Sequence, residues 1–328
     1  MKTLIANFSN HLSSALSIGR DAALAPPRLP IHNVLISGMG GSGIGGTIVS
    51  QLTANESAVP VNVAKDYFIP AYVNEQTLVI ISSYSGNTEE TLSAMKQACV
   101  LKAEIVCITS GGEVLEMARK HKFNHIVIPG GMPPRACLGY SFTQLFYVLH
   151  HYKIINRGFE KDISSSIALL NKEEENIRRE ALETAKAVHG KIPVIYTTAS
   201  NEGVGIRLRQ QLNENYKMLC WHHVFPEMNH NELVGWRKKN QDLAVLMFRS
   251  DTDYSRVKKR MEICKPIFSK CTSTLIEIHA KGQSEIEKTL YFIHFGDWLS
   301  YYLSELNKAD AMEIEVINFL KSEIAKTD

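Results

Sequence analysis

The chain lacks any CxxC pair. Its six cysteines, Cys99, Cys107, Cys137, Cys220, Cys264 and Cys271, are scattered along the sequence. Scatter of this kind fits a reducing, cytoplasmic setting better than a disulfide framework. No run of about 18 apolar residues occurs, so no membrane span and no membrane partner are expected. The opening Met1-Lys2-Thr3-Leu4-Ile5-Ala6-Asn7-Phe8 gives way at once to Ser9-Asn10-His11, an apolar run too short for a signal-peptide core. An excess of one charge is missing as well. Basic residues number 36 and acidic residues 34, a formal charge of +2, which argues against a dedicated nucleic-acid or membrane-surface protein while leaving room for a local basic pocket. No spacing between Cys220 and Glu232 makes a zinc site, and His222 and His223 fall on one expected strand, where they point to opposite faces. Neither a metal nor a cofactor is expected.

What is present is an ordinary globular mixture, 45% apolar and 21% charged, in a chain too long at 328 residues for a single ordinary core. A leading helix is expected to about residue 24, stopped by Ala25-Pro26-Pro27-Arg28-Leu29-Pro30. Short apolar runs then alternate with helical stretches: His32 to Ser37, Val61 to Val63, Leu78 to Ser82, Glu104 to Thr109 and His125 to Ile128. After a long charged helix, about Ser164 to His189, a second series follows at Ile192 to Thr198, Leu219 to Val224, Leu243 to Phe248 and Thr274 to Ile278. Two helices, about Ser284 to Leu306 and Ala311 to Lys326, close the chain. Strand and helix alternating at this spacing predict an α/β fold of two units, each a parallel sheet flanked by helices on both faces. The boundary is expected near Asn156 to Asp162, giving units of 1–157 and 158–328. No strong residue-level repeat relates them.

Two strand-to-helix junctions carry the chemistry. Gly38-Met39-Gly40-Gly41-Ser42-Gly43 follows the first strand, and Ser83-Tyr84-Ser85-Gly86-Asn87-Thr88 follows the third. Such junctions expose backbone N–H groups at the positive end of a helix dipole and attract an anion. The first also fits the GxGxxG dinucleotide fingerprint, with Asp66 as a ribose-binding acid, and it fits a tight turn without a ligand. Against the dinucleotide, Ser42 adds a hydroxyl inside the turn, and the second hydroxyl-rich loop competes for the same crevice. Two such loops on neighbouring parallel strands converge on one small anion, a phosphate carried by a polar molecule.

Gly40-Gly41-Ser42-Gly43 with Ser83-Tyr84-Ser85-Gly86-Asn87-Thr88 resembles the sugar isomerase (SIS) domain. Pro133-Pro134-Arg135, Asn213-Glu214-Asn215-Tyr216-Lys217 and Glu227-Met228-Asn229-His230-Asn231-Glu232 narrow the resemblance to the bifunctional phosphoglucose/phosphomannose isomerase family, which is built of two SIS domains. It runs from about residue 30 to the C-terminus. It implies a phosphorylated hexose as substrate and interconversion of glucose 6-phosphate, with mannose 6-phosphate as a second aldose, and fructose 6-phosphate. It also implies a cradle of Gly40, Gly41, Ser42, Ser83, Ser85 and Thr88 for the phosphate. A non-catalytic phosphosugar-binding regulator and an amino-sugar phosphate isomerase share the serine loops and stand as alternatives, and so does a nicotinamide-dependent oxidoreductase.

Aldose–ketose isomerisation needs a base between C1 and C2, groups that open the ring and a partner for the enediolate charge. Glu214, expected late on a helix where burial would raise its pKa, matches the family's base. His230 matches the ring-opening histidine, which in related isomerases reaches the neighbouring subunit's active site, so the resemblance implies a homodimer with His230 contributed across the interface. Arg135, expected to project from a proline-stiffened loop, suits the enediolate. Lys321, on the last expected helix, matches a ring-opening lysine. The family also uses a threonine slightly upstream, linked to accepting either C2 epimer. Ala311-Met312-Glu313-Ile314-Glu315 contains none, a departure that weighs against the phosphomannose activity.

Overall fold

The alternating pattern forms two all-parallel sheets in the computed structural model of the protein, which describes residues 1–326. Thr327 and Asp328, the last two residues of the expected second unit, lie outside the described residues. The leading helix is interrupted. It forms α1 (Lys2–Ala6) and α2 (Phe8–Asp21), separated at Asn7, whose side-chain oxygen accepts from Asn10 Nδ2 at 3.1 Å. A short polar side chain that bonds locally competes with the helical ladder, which is why the break falls there.

The first sheet consists of β1 (Asn33–Ser37), β2 (Val61–Ala64), β3 (Thr77–Ser83), β4 (Glu104–Thr109) and β5 (Asn124–Val127), in the order β2-β1-β3-β4-β5. Helices α3 (Gly40–Thr53), α4 (Glu89–Val100) and α5 (Gly112–His121) make the crossovers, and α6 (Leu138–His151) follows. The long helix α7 (Phe159–Val188) leads into the second sheet, β6 (Ile192–Thr198), β7 (Trp221–Phe225), β8 (Leu243–Arg249) and β9 (Leu275–His279), in the order β7-β6-β8-β9. Helices α8 (Glu202–Gln211) and α9 (Ser255–Cys271) belong to this series. The chain closes with α10 (Glu285–Leu306), started by a capping box between Ser284 and Glu287, and α11 (Glu315–Ile324). The last helix starts later than the apolar pattern predicts, because the Ala311 carbonyl is taken by the Arg135 guanidinium in a non-helical stretch.

The strand side chains divide by the period of two. Val34, Ile36, Leu78, Ile80, Val106 and Ile108 face a central core, whereas Leu35, Val79, Ile81, Ile105 and Cys107 face an outer layer with α4 and α5. In the second sheet Ile195, Ala244 and Leu246 face the same central core, and Val194, Tyr196, Val245 and Met247 face an outer layer with α9. One continuous core therefore lies between the two sheets, filled by α2, α3, α6, α7, α8 and α10. The halves are two sheets joined back to back rather than beads on a linker. Among the described residues, no helix is long and apolar enough to cross a membrane, and all six cysteines are free.

His11 sits in this core, its ring tilted 30° against that of Tyr140 with centroids 5.0 Å apart and with no partner for Nδ1. Burial pushes its pKa below the ordinary 6.5, against a smaller opposing effect of a hydrogen bond with the Ala136 backbone. The unfolded chain therefore takes the proton first. Stability that depends on neutral His11 is complete above the ordinary value and is lost as the pH falls through the depressed one. In urea unfolding, acidification from about pH 7 to about pH 5 is expected to cost the wild type more stability than it costs His11→Gln; equal losses would show that His11 is not a source of the acid sensitivity.

Candidate active site

The glycine turn carries the chain from β1 into α3. Gly40 adopts φ +49°, a left-handed conformation open to glycine. The N–H groups of Ser42 and Gly43 return to the Met39 carbonyl, both at 3.0 Å, so the donors that the turn offers outward are those of Gly40 and Gly41. A Cβ on Gly41 would stand 3.0 Å from the Pro134 carbonyl oxygen, so this glycine lets the loop carrying Arg135 lie against the turn. Ser42 is buried, and its Oγ accepts the Tyr84 N–H at 3.1 Å, which ties the two serine-bearing loops together.

The second loop is pinned from several sides. The Tyr84 carbonyl accepts from Ser110 Oγ at 2.6 Å, and its phenol oxygen accepts the Met132 N–H at 3.1 Å; burial pushes the phenol pKa up. Ser83 Oγ donates to Thr88 Oγ1 at 3.4 Å, Asn87 N–H donates to Ser85 Oγ at 3.3 Å, and Asn87 Oδ1 accepts the Glu113 N–H at 2.9 Å. Gly86 has φ +72°, and a Cβ there would stand 1.8 Å from the Gly111 carbonyl oxygen. Thr88 occupies the N-cap of α4 without spending its side chain on a cap bond, which leaves its hydroxyl and the first-turn N–H groups available. Ser83 is buried, Thr88 half-buried and Ser85 exposed.

Arg135 and Glu214 meet across the two halves. Arg135 does not project from its loop to the surface: it is 3% exposed. Its Nε donates to Asn215 Oδ1 at 2.9 Å, one terminal nitrogen donates to Glu214 Oε2 at 3.3 Å, and the other donates to the Ala311 carbonyl. Burial pulls the guanidinium pKa down, and the carboxylates of Glu214, Asp310 and Glu313 oppose that effect. Glu214 does not end an α-helix; it lies in a π-helical turn, Leu212–Tyr216, that continues α8. Such turns often occur at functional sites because the widened ring re-aims its side chains. Here one side of the turn sends Asn215 into the interior, while the Glu214 carboxylate stays 28% exposed at the cleft, less enclosed than its expected role as a buried base requires.

Beneath this pair lies a second buried group that the sequence did not single out. Arg207 donates to both oxygens of Asp297, at 2.9 and 2.8 Å, and to the Arg135 carbonyl at 3.1 Å. Gln211 donates to Asp297 Oδ1 at 2.7 Å, and Ser300, which accepts from Asn215 at 3.0 Å, donates to the Asp297 carbonyl at 2.8 Å. Arg207 and Gln211 share a face of α8 at the i, i+4 spacing, the one signal that could have pointed to a common partner.

Lys321 lies on α11 and lines a cavity of about 620 Å³ together with Ser85, Asn87 and Thr88. Glu214 lines a neighbouring cavity of about 280 Å³, and Ile317 of α11 borders both. The structure thus brings Lys321 to the serine loop and Arg135 to Glu214, on either side of one helix. It does not bring His230 to them: His230 is exposed on the short 3₁₀ turn Glu227–His230 and lines neither cavity. Among the described residues, no group of three or more His, Cys, Asp or Glu side chains could hold a metal ion.

The model of the bacterial phospho-glucose isomerase C-terminal SIS domain matches residues 177–324. A bifunctional phosphoglucose/phosphomannose isomerase of Caldicellulosiruptor bescii is 34% identical over 98% of this chain and 97% of its own. This chain belongs to the bifunctional phosphoglucose/phosphomannose isomerase family. A family member from Thermoplasma acidophilum is 36% identical over 89% of this chain and 90% of its own. Among solved structures, the C-terminal domain of glucosamine-fructose-6-phosphate aminotransferase from Francisella tularensis superposes with a TM-score of 0.75 at 13% identity, covering 95% of this chain and 97% of that one. Tagatose-6-phosphate ketose/aldose isomerase from Escherichia coli does so with a TM-score of 0.66 at 14% identity, covering 95% and 91%. At such identities these two show the fold alone.

Asp297→Asn removes the carboxylate paired with buried Arg207. A loss of about 3 kcal/mol in urea unfolding is expected, because a buried charge is left without its counter-ion; a loss within about 0.5 kcal/mol would show that the pair is not anchoring this interface. Gly86→Ala forces a side chain into both a left-handed backbone and the Gly111 carbonyl, and is expected to lower the same stability by at least about 1–3 kcal/mol.

Proposed function

We propose that this family member interconverts fructose 6-phosphate and glucose 6-phosphate, with Ser42, Ser83, Ser85, Thr88 and the N–H groups of Gly40 and Gly41 holding the phosphate. The observation that carries the reading is the Arg135–Glu214 contact of 3.3 Å, a carboxylate and a cation side by side in the cleft next to the serine loop. Glu214 takes the proton from C1 of the open-chain ketose. The electrons of that C–H bond form the C1–C2 double bond of a cis-enediolate, and the negative charge develops on the former carbonyl oxygen. Arg135 holds that charge without having to reorganise, because its other donors are already fixed. A proton passes from the C1 hydroxyl to the C2 oxygen, which moves the charge to O1, and Glu214 then returns its proton to C2 as the C1 carbonyl of the aldose forms. Phosphate contacts remote from the reacting carbons orient them against the base.

Lys321 and His230 open the ring in this scheme. Lys321 faces the cavity that Ser85 and Thr88 line. His230 stands exposed and away from the cavities of its own chain, which suits a group delivered as His230 of the partner subunit in a homodimer. The division into SIS units of 1–157 and 158–328 belongs to the same reading, supported by one parallel sheet on either side of that boundary. Six free thiols and a phosphorylated metabolite as substrate fit a cytoplasmic enzyme. Mannose 6-phosphate is a weaker candidate, because Ala311–Glu315 holds no threonine.

The test is incubation of the purified chain with fructose 6-phosphate, without nicotinamide, and identification of the products. Glucose 6-phosphate is expected, and its absence would overturn the substrate assignment. Glu214→Gln is expected to lower kcat by about 10²–10⁴-fold while fructose 6-phosphate still binds. Turnover retained in that variant would remove Glu214 from the role of base.

A further inference from the structure

The two sheets share a strand order: β2-β1-β3-β4 corresponds to β7-β6-β8-β9. β6 is therefore the counterpart of β1, and β8 the counterpart of β3. The serine loops follow β1 and β3. The loops after β6 and β8 border a second cavity, of about 450 Å³, in the corresponding position. Parallel α/β sheets bind ligands in this crevice, outside the carboxyl ends of strands whose connections diverge. Thr198, Ser200 and Asn201 come from the loop after β6, and Thr252, Asp253 and Tyr254 from the loop after β8.

A cation separates this crevice from its counterpart, where Lys321 stands beside Glu89 and Glu90. No lysine or arginine lines this crevice, whereas Asp253 and Glu285 do. Asp253 Oδ2 already accepts the Ser250 N–H at 2.8 Å, so the protein's own carboxylate takes a backbone donor at the strand-to-helix junction. Two ammonium groups near it are engaged: buried Lys288 by Asp251 at 2.7 Å and Thr252 Oγ1 at 3.1 Å, and Lys258 by the Asp251 carbonyl at 2.6 Å. A phosphate ester would meet repulsion here. The polar part of the lining consists of hydroxyls, planar amides (Asn201, with Gln51 and Asn55 at the end of α3) and carboxylates, groups that pair with vicinal hydroxyls, beside an apolar part that includes Leu52, Phe225 and Val257. At the rim the Tyr254 side chain is 70% exposed, and its ring offers an apolar face to the C–H side of a pyranose.

We propose that this crevice binds a neutral, unphosphorylated hexose and does no chemistry on it. The base has no counterpart there. Thr53 stands as far past the end of β1 at Ser37 as Glu214 stands past the end of β6 at Thr198. Thr53 is buried and spends its hydroxyl on the Val49 carbonyl at 2.8 Å.

The position also connects the crevice to the cleft described above. α3 runs from the glycine turn to this cavity, and α8 runs back from this cavity to the turn bearing Glu214. Gln51 fastens the two helices: its Nε2 donates to the Ala199 carbonyl at 3.2 Å, and its Oε1 accepts the Gly203 N–H at 2.9 Å. A Cβ on Gly203 would lie 2.7 Å from Ile48 Cγ1, so the helices are in close contact at that point. A hexose beside Gln51 and Asn201 touches the far ends of both helices that carry the proposed catalytic and phosphate-binding groups.

Binding is independent of the proposed isomerase activity, and the experiment reads binding alone. D-glucose is titrated into the full chain and followed by ligand-observed NMR, with and without saturating fructose 6-phosphate. Saturable binding in the millimolar range is expected, undisturbed by fructose 6-phosphate and weakened about tenfold or more by Tyr254→Ala, an exposed position whose change leaves the fold intact. The double variant Asp253→Asn, Glu285→Gln is expected to weaken it as well. Absence of saturation, displacement of glucose by fructose 6-phosphate, or equal affinity in Tyr254→Ala would overturn the proposal. A chain that binds glucose in this way but shows no turnover would retain the crevice and lose only the isomerase reading.

Discussion

The Arg135 guanidinium, held almost entirely out of water, is the contact on which the cleft depends. Removing such a group from solvent costs several kcal/mol unless its donors find acceptors. All three of its nitrogens do, and every acceptor comes from the second half of the chain: Asn215, Glu214 and the Ala311 carbonyl. The loop Pro133-Pro134-Arg135 can keep its place only while the second half supplies them. A lysine could not substitute, because an ammonium lacks the planar fork that reaches three directions at once. Arg207 joins the halves one layer down through a single terminal nitrogen, which spans Asp297 on α10 and the Arg135 carbonyl, while its buried Nε has no partner among the described residues.

The shared core sets the spacing that this chemistry needs. With apolar faces of both sheets turned toward one interior, α3 and α8 are clamped between them, and each delivers a different part of the cleft. Glycines permit the approach where side chains would forbid it, at Gly41 under the Arg135 loop and at Gly203 between the helices. α11 is held differently. None of its residues is buried, and Val316, Phe319 and Leu320 are largely exposed, although Ile317 and Lys321 border the cleft cavities. Glu214 and Arg135 thus rest on elements tied into the interior, and Lys321 on a helix with no buried residue.

Repetition of one topology gave two crevices and unequal chemistry. The first kept neutral hydroxyls and glycines at the strand ends. The second acquired Asp251 and Asp253 after β8 and filled its own backbone donor with a carboxylate. Both crevices are bordered by two carboxylates, and the first alone has a lysine, Lys321, in its lining.

The amino-acid order determined the parallel sheets and the two serine-bearing turns, because strand alternation, glycine at left-handed positions and short hydroxyls at helix starts are properties of neighbouring residues. β1, β3, β4, β6 and β8 fall where their apolar runs lie, and Gly86 and Thr88 fall where the turn requires them. The sequence could also nominate Glu214 and Arg135. It could not bring them together, bury the arginine or widen the helix under the glutamate into a π turn. Those outcomes rest on contacts between residues far apart in the chain, such as Arg135 with Ala311 and Arg207 with Asp297. The cost of an unpaired buried charge is settled only when the two halves close on each other, and that closure is a property of the tertiary structure.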